Sequence, residues 1–152
     1  MVTSIELVYS KFCTTRFAMP TVEHVTRLEE QIGVSFPEDY RDFLLTFNGG
    51  CFSNPRIVAP GKDTPAEYLQ YMYAIGAPAR TLELGSKVSL AFFDDNDPPQ
   101  VIPIGRTPTN SLILLITHPE ENGSIVLKVA FGGFFFLSSG IEEFFGLLCN
   151  EA

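Results

Sequence analysis

The sequence predicts an α+β domain, a mostly antiparallel sheet flanked by two N-terminal helices and one C-terminal helix. Apolar residues keep a helical period towards both ends of the chain, as Tyr40, Phe43, Leu44 and Phe47 and again as Ile141, Phe144, Phe145 and Leu148. The strongest apolar runs between them, Leu112 to Ile116 and Phe134 to Leu137, are strand-sized and bounded by turn formers. Helices at both ends of a run of short strands favour a sheet covered by helices over a parallel α/β layering.

The opening segment, 1–19, is the least defined part of the expected single domain 1–152: Ile5 to Tyr9 has the look of a strand, and Lys11 to Pro20 has no clear period. From Thr21 the signals sharpen. Thr21 suits a helix N-cap, Val25, Leu28 and Ile32 share one face, and Gly33 suits the C-cap. Pro37 suits a first helical position, and Glu38 and Asp39 complement the positive end of the next helix, which Asn48-Gly49-Gly50 stops.

Asn54 to Pro65 reads as loop, and Tyr68 to Ile75 as a strand, with a helical turn over Ala66 to Gln70 as the alternative. Ala77 to Ser86 fits neither period. Val88 to Phe93 fits a strand or a short helix before the turn Asp94-Asp95-Asn96-Asp97-Pro98-Pro99. The last third reads as a meander: Val101 to Ile104, a polar connection from Arg106 to Ser111, Leu112 to Ile116, a turn from His118 to Gly123, Ser124 to Val129, then Phe134 to Leu137 and the closing helix. Ser138-Ser139-Gly140 suits that helix's cap.

The formal net charge of −8 argues against direct binding of nucleic acid or anionic lipid and favours solubility or a basic protein partner. No stretch has the length of a membrane span, and the first apolar cluster is too short for a secretory signal. Cys13, Cys51 and Cys149 are odd in number and widely spaced, which fits reduced thiols and a cytoplasmic setting.

No motif assembles chemistry. His24 and His118 lack the short spacings of a metal site, and His118 beside Glu120 and Glu121 is weighed chiefly as a solvated turn. Cys51 after the glycine pair is a conspicuous place for a nucleophile, yet a lone cysteine there is more often a small buried hydrophobe. Asp94, Asp95 and Asp97 are followed by prolines that exclude an EF-hand, and neither glycine pair forms a phosphate loop. The expectation is therefore no enzyme, no metal and no cofactor. In Phe134 to Phe136, strand alternation buries either Phe135 or its two neighbours, and any exposed set becomes a candidate contact surface.

The segment VEHVTRLEEQIGVSFPEDYRDFLLTFNGG, Val22 to Gly50, resembles the SUKH superfamily, which includes the Smi/Knr-type cell-wall assembly regulators. The motif is carried by Pro37, Tyr40, Phe43, Leu44, Asn48, Gly49 and Gly50, all in folding roles. The later "VIPIG" and "IEEFFGLL" are compatible with it, so that the resemblance spans roughly residues 20 to 149. It implies protein binding, as a bacterial immunity protein neutralising a toxin, often a nuclease, or as a regulator of the Smi/Knr type. Many members carry an acidic turn after the strand that contains "P-I", whereas here Arg106 to Ser111 has no acidic residue. On the main reading, Asp94, Asp95, Asp97, Glu120 and Glu121 steer a basic toxin domain towards the chain. The alternative is a regulatory or scaffolding domain without a toxin partner.

Overall fold

A computed structural model describes residues 3–77, 83–84 and 100–149. Helix α1 (Ser4–Phe12) leads into β1 (Cys13–Thr15), and α2 (Val22–Ile32) and α3 (Glu38–Thr46) follow. Then come β2 (Gly50–Phe52), β3 (Arg56–Ile57), β4 (Glu67–Tyr68) and β5 (Tyr71–Met72). The meander is β6 (Val101–Arg106), β7 (Leu112–Ile116), β8 (Ile125–Lys128) and β9 (Phe134–Ser138), closed by α4 (Ile141–Cys149). One sheet has the order β1-β2-β5-β6-β7-β8-β9 with antiparallel neighbours, and β3 pairs with β4 in a second, two-stranded sheet. The α+β class stands as expected, but among the fully described elements three helices rather than two precede the meander.

The additional helix corrects the reading of Ile5 to Tyr9 as a strand. Thr3 accepts the Glu6 N–H through its hydroxyl while the Glu6 side chain reaches back to the Thr3 backbone, a reciprocal capping box that starts a helix. Ile5, Val8 and Tyr9 then share the buried face, and Phe12 one turn on packs against the same core. Tyr68 to Ile75 is likewise not one strand. At Leu69 and Gln70 the chain leaves β4 for β5, donating to the Pro55 and Arg106 carbonyls on the way, and so changes sheets. The expected loop over Asn54 to Pro65 contains the short β3. Pro37 stands one residue outside α3, at the cap, where its missing N–H costs nothing.

In β7 and β8, Ile113, Leu115, Ile125 and Leu127 enter the core beneath the helices, joined by Leu137 of β9. Their alternates Leu112, Leu114 and Val126 point to the other face. The helical side is aromatic: Tyr9 stacks on Phe47 at 4.5 Å and meets Phe52 edge-on at 5.2 Å, while Phe43 and Phe145 lie 5.4 Å apart. Rings at these separations add to the burial of their area, which accounts for so many phenylalanines in so small a core.

Candidate protein-binding surfaces

The turn that ends α3 is built by three residues of the family motif. Asn48 is fully buried in a left-handed conformation, φ 56°. Its amide donates to the Ala18 and Ile75 carbonyls at 2.7 and 2.9 Å and its oxygen accepts the Ile75 N–H at 2.9 Å. One side chain thus ties the end of α3 to the loop before α2 and to the strand end beyond β5. Gly49 follows at φ 73°, where a Cβ would come within 2.5 Å of the Met72 carbonyl oxygen, and the Tyr9 hydroxyl donates to its carbonyl at 2.8 Å. Gly50, at φ 141°, would push a Cβ to 2.7 Å from the Thr15 carbonyl oxygen. These are backbone requirements. Tyr40, Phe43 and Leu44 are core, and burial pushes the Tyr40 phenol above its ordinary pKa; its hydroxyl has no hydrogen-bond partner among the described residues.

Carboxylates gather where the N-termini of α1, α3 and α4 meet. Asp39 of α3 accepts the Tyr40 N–H at 2.8 Å and, across the interface, the Ile141 N–H of α4 at 3.1 Å. It therefore supplies the cap that the sequence assigned to Ser138-Ser139-Gly140. Those residues bond otherwise: the Ser138 hydroxyl donates to the Gly140 carbonyl, and the Ser139 N–H to Glu143. Gly140 has no room for a Cβ, since one would lie 2.7 Å from an Asp39 oxygen. Glu142 of α4 in turn accepts the Ser4 N–H of α1 at 2.9 Å. Each carboxylate satisfies an orphan helix N–H and faces a positive dipole end, and together they make one face acidic. A cleft of about 540 Å³ opens there, floored by Phe43, Phe47 and Ile141 and rimmed by Glu6, Asp39, Asp42 and Glu142. Arg16, held over the Tyr9 and Phe47 rings, also lines it.

Glu120 and Glu121 do not line that cleft. They are exposed in a 3-10 turn, Pro119–Glu121, whose Gly123 packs against Pro37 and the Ser139 carbonyl. Asp94, Asp95 and Asp97 lie outside the described residues. The connection after β6, without an acidic residue of its own, closes around one from β4: the nearly buried Glu67 carboxylate accepts from Thr109 at 2.7 and 2.8 Å and from Ser111 at 2.8 Å. Nothing local in the sequence announced Glu67, because the hydroxyls that hold it stand more than forty positions away.

The candidate nucleophile and bases each have a local occupation. His24 and His118 accept backbone N–H groups from Thr21 and Glu120 through Nδ1, so both serve turns at element starts. Burial pushes the thiols of Cys13 and Cys51 above the usual range, which lowers the thiolate fraction at neutral pH. Among the described residues no group of three or more histidine, cysteine or carboxylate side chains is placed to hold a metal, and no helix is long and apolar enough to cross a membrane.

A second surface lies at the far edge of the large sheet. In β9, Phe135 packs against the core, whereas Phe134 and Phe136 are 58 and 54 % exposed. Alternation thus resolves in favour of burying the middle ring. Phe131, at the tip of the β8–β9 hairpin, is entirely exposed.

The model of one protein family, described as the SMI1 / KNR4 family (SUKH-1), matches residues 19–146. No curated protein matches the chain. The matched span runs from just before α2 into α4 and leaves out α1, although Tyr9 of that helix bonds the motif glycine.

Proposed function

The chain belongs to the SMI1 / KNR4 family (SUKH-1), and from that premise we propose that it is a non-catalytic protein-binding module of the immunity type, which neutralises a basic toxin domain by covering it. The observation that carries this reading is the acidic face. The carboxylates Glu6, Asp39, Asp42 and Glu142 at the three helix starts line an open cleft with an apolar floor, and the exposed Glu120-Glu121 turn adds to the acidic surface. A surface of that kind steers a basic partner into encounter, and the part-exposed Phe47 offers an apolar contact within it. The partner would be a protein, with no direct contact to nucleic acid or membrane. The cytoplasm suits the free thiols of Cys13 and Cys51.

The test begins with recovery of the partner on the tagged full chain from its host, followed by expression of that protein with and without the chain. The immunity reading expects a basic protein that arrests growth alone and is harmless beside this chain. It also expects association to slow by about threefold to tenfold in Glu120→Gln/Glu121→Gln and on raising salt, as screening removes long-range attraction. A recovered partner that is harmless on its own transfers the case to the second reading, a regulatory module, with which the family is equally consistent. Rates unmoved by charge or salt would remove the steering role.

A further inference from the structure

We infer that β9 is a self-association edge, at which a second copy of this chain adds its own β9 antiparallel to the first. This does not rest on the toxin reading, since the cleft residues Asp39, Asp42 and Phe47 lie on α3 and not on this edge, although the Glu120-Glu121 turn bears on both, so the test below is made at Phe136. β9 ends the large sheet, and among the described residues its Phe134–Leu137 backbone makes no hydrogen bond beyond the ladder with β8. The Val129 N–H bonds the Gly133 carbonyl at 3.0 Å, which fixes the phase of the hairpin. With Lys128 opposite Phe134 and Leu127 opposite Phe135, alternation turns the Phe135 backbone towards β8 and the N–H and C=O groups of Phe134 and Phe136 outward. The residues with unpaired backbone groups are therefore the ones whose rings are exposed.

A two-fold axis through Phe135 sets Phe134 of one copy opposite Phe136 of the other, with reciprocal backbone bonds and aromatic cross-strand pairs on one face. Charge favours this occupant. At the Phe134 end the Lys128 ammonium sits 5.4 Å from the Phe134 ring, and Lys62, with Asp63 beside it, lines the groove along Phe134 to Phe136. At the other end Glu143 accepts the Ser139 N–H at 2.9 Å, and the turn bearing Glu120 and Glu121 packs against Ser139 through Gly123. Antiparallel pairing lays the lysine end of each copy alongside the glutamate end of the other, whereas parallel pairing would oppose like charges. The same pairing brings the hairpin tip with the exposed Phe131 towards the Ser138 end of the second copy's β9.

Sedimentation velocity on the full chain, from micromolar to hundreds of micromolar, is expected to show a monomer giving way to a dimer that weakens as salt rises. Phe136→Lys replaces an exposed ring, leaves the circular dichroism spectrum unchanged, and weakens the dimer by at least about tenfold. Hydrogen exchange supplies the second measurement. The Phe134 and Phe136 amides become protected as concentration rises, while the Phe135 amide, bonded to β8, is protected throughout. A monomer at every concentration, a dimer indifferent to Phe136→Lys, or outward amides that stay open in the dimer each overturn the proposal. Protection of those amides only when a different protein is added also overturns it and gives the edge to a foreign strand.

Discussion

Asn48 and Phe131 hold nearly the same left-handed backbone, φ 56° and 61°, at opposite extremes of burial. That conformation costs a residue with a side chain about 1–2 kcal/mol. At Asn48 three hydrogen bonds to Ala18 and Ile75 offset the cost, and replacing the side chain would take the partner from three part-buried backbone groups. At Phe131 the chain offers no such return. The turn around it is clamped by the Lys128 ammonium, which donates to the Val129 and Gly132 carbonyls, while the ring itself meets solvent. One strained residue holds the scaffold together; the other presents an aromatic ring that the isolated fold does not need.

Breaking the buried member has the largest expected effect. Asn48→Ala strands the Ile75 N–H and two carbonyls, and we expect a loss of about 2–4 kcal/mol, read as a lower denaturation midpoint at unchanged slope. Asn48→Asp keeps the acceptor for the Ile75 N–H but turns a second lone-pair oxygen on two carbonyls, so it is expected to do nearly as much damage. A midpoint within about 0.5 kcal/mol of the parent for both variants would mean that the three bonds do not set the turn.

The contrast also separates what was legible in the sequence from what was not. Thr21, Gly33, the stripe from Tyr40 to Phe47 and the strands Leu112 to Ile116 and Phe134 to Leu137 are local patterns, and the structure keeps them. The α1 signal was present as well: Thr3 and Glu6 have capping-box spacing, and Ile5, Val8, Tyr9 and Phe12 fall at i, i+3, i+4 and i+7. A short β-prone cluster obscured it. The acids at the helix starts were legible as partners of the dipole. That Asp39 would cap α4 and Glu142 would cap α1 was not, because those bonds cross 102 and 138 positions and exist only once the helices meet. Glu67 and the exposure of Phe131 belong to the same class: chain composition carries no trace of which loop closes over which side chain.

Asp39→Ala tests one of those tertiary caps at intermediate scale. It removes an acceptor from the first N–H of α4 and a negative charge from two helix N-termini, and we expect a loss of about 1–2 kcal/mol. The space left beside Gly140 makes Asp39→Ala/Gly140→Ala a useful double variant. If the close approach of Asp39 is what forbids a side chain at 140, Gly140→Ala costs less in the Asp39→Ala background than in the parent. Equal costs in both backgrounds would place the restriction at 140 elsewhere.

The smallest change in stability belongs to the exposed member, and its sign is opposite. Phe131→Gly releases the left-handed strain at a position where glycine is at home, while the unfolded chain gains freedom that partly cancels the benefit, so the net expectation is a gain of at most about 1 kcal/mol. The ring touches nothing that would be lost. A destabilisation of Phe131→Gly beyond about 1 kcal/mol would show that the ring does hold the hairpin, and the contrast with Asn48 would collapse. A variant at least as stable as the parent but weaker in self-association sharpens it instead: the strain would then be a cost borne by the monomer and offset only where another surface meets the hairpin.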